Sequence, residues 1–190
     1  MQYRTLTGLL AASSLVLLSG ETPASLIAPM SLTELTDSAG RVVVGEVLSV
    51  QSQWDRGHRT IFTKIEIQVV ESWKGQTPQG GRLTVFQPGG SVGDIEMRVH
   101  GLRAFEVGER AVLFLSAGEQ PYTVGLGQGH RRLSFDDSRR SWMVDRGDRS
   151  AAYRAPSEVN RSAPRSRLTP EDGIVSLDDL RRTVRALVRR

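Results

Sequence analysis

The clearest pattern in the chain is an alternation of apolar and polar positions that runs from Ile61 to Val69. The odd-numbered positions are all β-branched, and aromatic or polar side chains separate them. A period of two places successive side chains on opposite faces of a strand, so the pattern predicts a long strand with one buried face. The apolar run Val42–Val50 and the turn residues Asp55–His58 precede it, which predicts a hairpin.

More strands are predicted further along the chain. The continuous apolar run Ala111–Leu115 has the length of a central strand that is buried on both faces. Shorter strands are expected between turns at Leu83–Phe86, Ile95–Val99, Tyr122–Val124, Leu133–Phe135 and Trp142–Val144. Because almost no helical pattern separates them, these strands indicate a mainly β fold, a small antiparallel barrel or sandwich.

Gly45 interrupts the apolar run Val42–Val50. A glycine inside a strand favours a bulge or a sharp bend, of the kind that lets a strand curl around a barrel. A second group of glycines, in Gly125–Gly129, matches no nucleotide-binding motif and does not open a helix. We interpret it as a strand bend at which two backbones come close together.

A helix is predicted at each end of the β region. Ser31 and Glu34 have the spacing of a capping box, which starts a short helix that ends near Ser38. Ser176 and Asp179 have the same spacing before an amphipathic C-terminal helix. Its apolar stripe consists of Leu177, Leu180, Val184 and Leu187, and we expect it to dock on the strands. The alternative is peripheral contact between this arginine-rich helix and an anionic membrane or a partner surface.

The N-terminal segment has the features of an export signal. Arg4 precedes the apolar run Leu6–Leu18, which is shorter than the ~20 residues that span a bilayer, and small residues follow as far as Ala24. We therefore expect residues 1–24 to be a signal peptide that is cleaved near Ala24, with an uncleaved anchor as the alternative. The mature protein is then periplasmic or secreted.

Three regions follow the signal peptide. Residues 31–146 are predicted to form the β domain, and residues 176–190 form the C-terminal helix. Between them, residues 147–175 are rich in Arg, Ser and Pro and poor in large apolar side chains. Such a composition cannot bury enough apolar surface to fold by itself, so a flexible linker is expected.

Composition limits the chemistry that this chain can perform. The 190 residues include no cysteine, which excludes disulfides, thiolate metal sites and cysteine nucleophiles. Only three histidines are present. His58 lies in a predicted turn, His100 ends a strand and His130 follows the glycine-rich loop, so each is expected at the surface.

No catalytic motif is found in the structural context that it requires. The letters G-x-S-x-G occur once, at Gly89–Gly93, but in a predicted turn between two strands, whereas a nucleophile elbow joins a strand to a helix; H-E-x-x-H does not occur. The sequence therefore assigns no catalytic, cofactor-binding or metal-binding residue, and no cofactor is expected. An undetected hydrolase that uses the carboxylates Glu46, Glu66 or Asp94 is the alternative, if two of them lie within about 5 to 10 Å in one cleft.

The net charge of +4 is unevenly distributed along the chain. Residues 1–130 contain 10 basic and 12 acidic residues, whereas residues 131–190 contain 15 basic and 9 acidic residues. A single-strand-binding barrel needs its basic residues in the barrel groove itself. Since the β region is slightly acidic, no nucleic acid partner is expected.

Several segments of this chain resemble a known superfamily. Val42–Val47, Glu71–Gly75, Leu83–Val85 and Phe105–Leu115 look like bacterial relatives of netrin-like domains, a superfamily that includes the tissue inhibitors of metalloproteinases. The resemblance implies a five-stranded OB-type barrel flanked by helices, and hence a small antiparallel OB-like β-barrel here. Over nearly the whole mature chain, the sequence is also similar to a family of exported bacterial proteins of uncharacterised function; segments such as Ser31–Leu35, Pro88–Gly90, Gly127–Gly129 and Leu177–Leu180 carry this similarity.

The inhibitory mechanism of that superfamily does not transfer. The inhibitors chelate zinc through an N-terminal cysteine that disulfides hold in place, and this chain contains no cysteine. What the resemblance implies is a scaffold whose function lies in its loops. We therefore expect a non-enzymatic binding or accessory module of the cell envelope or secretome. Its expected partner is another envelope or secreted protein, and an accessory role beside a secreted protease is a further alternative.

Overall fold

The computed structural model describes residues 28–77, 79–145 and 175–190. The predicted signal peptide 1–24 and all but the last residue of the predicted linker 147–175 lie outside these ranges. The two helices are α1 (Leu32–Ser38) and α2 (Leu177–Val188). The strands are β1 (Arg41–Trp54), β2 (Ile61–Lys74), β3 (Arg82–Pro88), β4 (Gly90–Val92), β5 (Ile95–Met97), β6 (Arg110–Leu115), β7 (His130–Asp136), β8 (Ser141–Val144) and β9 (Val175–Ser176).

The mainly β class with a helix at each end is confirmed. Seven strands form one antiparallel sheet in the order β3-β2-β1-β6-β7-β8-β9, and β4 and β5 form a separate hairpin. Val175, which the sequence pattern assigns to the linker, pairs with Val144 as part of β9. Glu96 of β5 and Arg98, which directly follows β5, form an exposed ion pair of 2.8 Å, so both face water as predicted.

The long hairpin of β1 and β2 is confirmed, and Gly45 has the role predicted for it. The register of the two strands shifts between Val44 and Gly45. A Cβ atom at Gly45 would lie 2.2 Å from Cγ2 of Ile67, which is closer than two carbon atoms can approach. The glycine therefore lets β1 bend tightly against β2.

The centre of the sheet is buried on both faces. In β6 every residue from Ala111 to Leu115 is buried, as the continuous apolar run predicts. Val112 and Phe114 point into a core beneath the helices, while Leu113 and Leu115 point into a second core shared with Ile65 of β2. The alternation of side chains along one strand thus supplies both cores.

The sheet of the described residues does not close into a barrel. The sequence predicts a strand at Tyr122–Val124, and that prediction is wrong: this segment makes only one isolated bridge, between Thr123 and Leu115. Pro121 has no N–H to donate. A backbone hydrogen bond of 2.8 Å from the N–H of Phe86 in β3 to the carbonyl of Pro121 links this segment to β3.

The turn Pro88–Gly90 needs glycine because it crosses over the β1–β2 hairpin. Gly90 has a φ of 127°, and a Cβ atom there would lie 2.2 Å from Oγ of Ser52. Thr63 donates a hydrogen bond of 2.6 Å to the carbonyl of Gly89, which fixes the turn at the end of β3. The turn therefore requires glycine at position 90, where a side chain would clash, and the buried hydroxyl of Thr63.

The two helices cap one face of the sheet. Both bonds of the predicted Ser31–Glu34 capping box are present, and the Ser176 hydroxyl accepts a bond from the Asp179 N–H. Leu180 and Val184 are buried in the core beneath α1, so the docked orientation of α2 on the sheet is confirmed. The carboxylate of Glu71 on β2 also contacts α2, since it accepts a hydrogen bond of 2.9 Å from Arg181.

Within the described ranges, neither helix is long and apolar enough to cross a membrane.

Truncating Val184 tests how much the docking of α2 stabilises the fold. Val184→Ala removes two buried methyl groups and leaves a cavity, so we expect the free energy of unfolding to fall by about 2 kcal/mol. Val188→Ala is the matched control, because the same change is made on the same helix at a side chain that is 40% exposed. The control should cost less than about 0.5 kcal/mol in urea denaturation. Equal losses for the two variants would contradict the docked helix.

Candidate functional site

The first feature is a buried charged group, the carboxylate of Glu109. Its side chain is only 4% exposed. One oxygen accepts a short hydrogen bond from Nε2 of His130, and the other lies 2.9 Å from Nη2 of Arg132. The guanidinium of Arg132 also reaches the exposed Glu106 at 2.8 Å. We call Glu109, His130, Arg132 and the exposed Glu106 at their edge the buried charge cluster.

The prediction that His130 lies at the surface is wrong. Its side chain is 1% exposed, and its ring stacks on Phe105 with ring centres 4.0 Å apart and planes 10° apart. Burial of an imidazole requires a hydrogen-bonding partner, and Glu109 supplies one. His58 and His100 are exposed, as predicted.

Two glycine-dependent turns bring Glu109 and His130 together. The Glu109 N–H bonds to the Glu106 carbonyl, and Gly108 has a φ of 82°, which a type II turn requires at its third position. His130 follows the short 3₁₀ helix Leu126–Gly129, where a strand bend is predicted. The predicted close approach of backbones is present: a Cβ atom at Gly129 would lie 2.4 Å from the Val124 carbonyl oxygen.

The environment of Glu109 keeps its carboxylate ionised. Burial alone raises the pKa of this group, but the hydrogen bonds and positive charges supplied by His130 and Arg132 outweigh burial and hold the pKa below its ordinary value of 4.5. The ionised carboxylate can only accept, so Nε2 of His130 carries the proton in their hydrogen bond.

The cluster resembles the acid and histidine half of a nucleophile triad, but its burial favours a structural role. In a triad, the second ring nitrogen of the histidine faces a hydroxyl that attacks the substrate. Here Nδ1 of His130 is buried and makes no hydrogen bond within the described ranges. A substrate cannot reach a side chain that is 1% exposed, so we assign the cluster to the stability of the β6–β7 region.

Sequence reasoning misses the cluster because its members are distant along the chain. Strand pairing joins them: Arg132 lies opposite Ala111, and His130 lies opposite Leu113. The signal that could have found it is the i, i+2 spacing of His130 and Arg132, which places both side chains on one face of β7.

The second feature is an open groove at the end of the hairpin. It has a volume of about 720 Å³. Its apolar lining consists of Phe62, Phe86, Pro88, Leu102, Tyr122 and Leu126, and its polar lining of Asp55, Arg56, Gln87, Gln120 and Thr123. The ring of Tyr122 is largely exposed. Concave, mainly apolar surfaces of about 300 to 1,000 Å³ with a few polar groups are typical of small-molecule sites.

Strands and loops contribute opposite walls of this groove. Phe62 and Phe86 lie on the paired strands β2 and β3, with ring centres 6.4 Å apart. Asp55 and Arg56 come from the turn between β1 and β2. The segment after β6 contributes the facing wall, where the Tyr122 N–H donates to the Ser116 hydroxyl at 3.0 Å. Two aromatic rings of the lining thus lie on paired strands, and the loops supply the rest of it.

The carboxylates considered for hydrolysis lie on different elements. Glu46 is on β1 and forms an ion pair of 2.9 Å with Arg110, Glu66 is exposed on β2, and Asp94 is exposed between β4 and β5. No hydrogen bond or ion pair between described residues joins two of the three. Residues 28–77, 79–145 and 175–190 also contain no group of three or more acidic or histidine side chains that could hold a metal ion.

Neutralising Glu109 tests the structural role of the cluster. Glu109→Gln removes the charge that His130 and Arg132 bind, so we expect a loss of about 2 to 3 kcal/mol of unfolding free energy at pH 7. Glu106→Gln is the control, since Glu106 contacts the same guanidinium but is 70% exposed; it should cost less than about 1 kcal/mol.

The difference in unfolding free energy between Glu109→Gln and the wild type should depend on pH. Because the folded pKa of Glu109 is lowered, its contribution to stability is present above about pH 4.5 and is lost as the pH falls through the folded pKa. The difference between Glu109→Gln and the wild type should therefore shrink in urea titrations at progressively lower pH. A difference that stays constant with pH would contradict this account.

No family model and no curated protein matches this chain. Its candidate function therefore rests on the geometry of the groove.

Proposed function

We propose that the protein is an exported, non-enzymatic binding module and that the apolar groove is its ligand site. The observation that carries the proposal is the largely exposed ring of Tyr122, which stands at a concave surface beside Phe62 and Phe86. Large exposed aromatic rings cost free energy in water and are enriched where proteins bind ligands.

The groove is suited to binding because its floor is already formed. Phe62 and Phe86 belong to paired strands, and the wall at Pro121 is tied to β3 by a backbone hydrogen bond of 2.8 Å. A preformed site avoids the entropy cost of ordering its side chains when the ligand arrives. Little rearrangement is then needed for a ligand to enter.

The sequence supports the remaining parts of the proposal. Residues 1–24 have the pattern of an export signal. The one G-x-S-x-G stretch, Gly89–Gly93, leads through β4 to β5 and not into the helix that a nucleophile elbow requires. A netrin-like origin is part of the proposal, and it implies a β scaffold whose function lies in loops. Much of the groove lining agrees with that expectation, since Asp55, Arg56, Gln120 and Tyr122 all lie outside the strands.

Truncation of Tyr122 tests the groove as a ligand site. The uncharged fluorescent probe N-phenyl-1-naphthylamine should bind the purified protein with increased emission, because the groove removes it from water. Tyr122→Ala deletes the exposed ring and should weaken binding about five- to thirtyfold, equivalent to about 1 to 2 kcal/mol.

Phe135→Ala is the matched control for this experiment. Phe135 is 48% exposed, comparable to Tyr122 at 57%, but it lies on β7 against Trp142 and does not line the groove. Its truncation should leave the probe's Kd unchanged. Absence of probe binding, or equal losses for the two variants, would contradict the proposal.

A further inference from the structure

The charged and polar side chains of the groove lining differ in whether they already form hydrogen bonds or ion pairs within the protein. Of the two charged side chains in the lining, Asp55 is fully engaged by its own turn. One carboxylate oxygen accepts from the N–H groups of Arg59 at 2.6 Å and Thr60 at 3.2 Å, and the other accepts from the Thr60 hydroxyl at 3.2 Å. These bonds also lower the pKa of Asp55, so it stays ionised and committed to the turn.

Arg56 is the opposite case. Arg56 lines the groove and is exposed, and within the described residues its guanidinium forms no hydrogen bond and no ion pair. The neighbouring Arg59 adds a second positive charge to the turn without lining the groove. The uncommitted charge among the lining residues is therefore positive, and a guanidinium is suited to a carboxylate, which it can bind through two parallel bonds.

The backbone around the groove disfavours an extended peptide as the occupant. A strand that added to the edge of β3 would need free backbone groups there. The N–H of Phe86 is already bonded to the Pro121 carbonyl, and Pro88 has no N–H. The side-chain amide of Gln87 is also committed, since it donates to the Arg103 carbonyl at 3.2 Å.

We infer that the groove binds a small amphipathic carboxylate, with its apolar body against Phe62, Phe86 and Tyr122 and its carboxylate at Arg56. This inference rests on the proposed ligand site and adds the chemical class of the ligand. The apolar walls supply most of the affinity, because they form the greater part of the lining. Arg56 supplies selectivity, which is modest because the charge is exposed to solvent.

A set of three naphthalene compounds of nearly equal shape tests the inference. 1-Naphthylacetate, the conjugate base of 1-naphthylacetic acid, is anionic. 1-Naphthylacetamide is neutral, and 1-naphthylmethylammonium is cationic. The purified protein should bind the acetate about two- to fivefold more tightly than the acetamide, and the cation most weakly. The preference should diminish between 0.02 and 0.5 M salt, about the range over which exposed charges become screened.

Two arginine variants assign the preference to one side chain. Arg56→Gln should abolish the preference, so that the acetate and the acetamide bind with nearly equal affinity. Arg59→Gln changes a neighbouring arginine of the same turn that does not line the groove, so it should retain most of the preference. Tyr122→Ala should weaken all three compounds.

The possible failures are distinguishable. If none of the compounds binds, or if Tyr122→Ala has no effect on any of them, the groove is not a ligand site and the proposed function fails as well. If the acetate and acetamide bind equally, or if Arg56→Gln preserves the preference, only the carboxylate inference is overturned. The carboxylate inference is also overturned if a short peptide displaces N-phenyl-1-naphthylamine more effectively than any of the acids, because the occupant is then a peptide. It is likewise overturned if the protein sediments as a dimer that Tyr122→Ala dissociates, because the occupant is then a second copy of the chain.

Discussion

The pairing of β1 with β6 is the interaction on which the rest of the structure depends. Val44 lies opposite Val112, and Val43 lies opposite Leu113, and all four side chains are buried. Side chains alternate between the two faces along each strand. Val44 and Val112 enter the core beneath the helices, whereas Val43 and Leu113 enter the core shared with β2. Loss of this pairing would therefore expose both cores at once.

The same pair of strands determines where the groove forms. β1 continues to Trp54 and ends beside Arg56, so the length of the hairpin places one wall. β6 continues into the segment that carries Pro121 and Tyr122, which places the other wall. The hydrogen bond between Phe86 and Pro121 joins the two walls where a closed barrel would have a full strand. The groove is thus the concave surface left at an incompletely closed sheet.

The sequence predicts the parts of this structure that depend on local patterns. The alternation Ile61–Val69 is enough to predict β2, because burial on one face requires it. The strand predicted at Tyr122–Val124 is not formed, since its hydrogen bonds depend on the neighbours that the fold supplies. The contact of His130 with Glu109 also depends on which strands pair, and Arg56 becomes a candidate only when the groove places it beside apolar walls. Such features are tertiary: the i, i+2 spacing of His130 and Arg132 places both side chains on one face, but no local pattern says which strands pair.

The most direct test of the account is a map of ligand contacts by nuclear magnetic resonance. The backbone amide signals of the isotopically labelled protein would be followed while 1-naphthylacetate is added. We expect the largest shifts at Arg56, Phe86, Tyr122 and Leu126, which line the groove from three separate segments of the chain. Shifts concentrated on α2 or beside Phe135, or no shifts at millimolar ligand, would contradict the central claim that this groove is the ligand site.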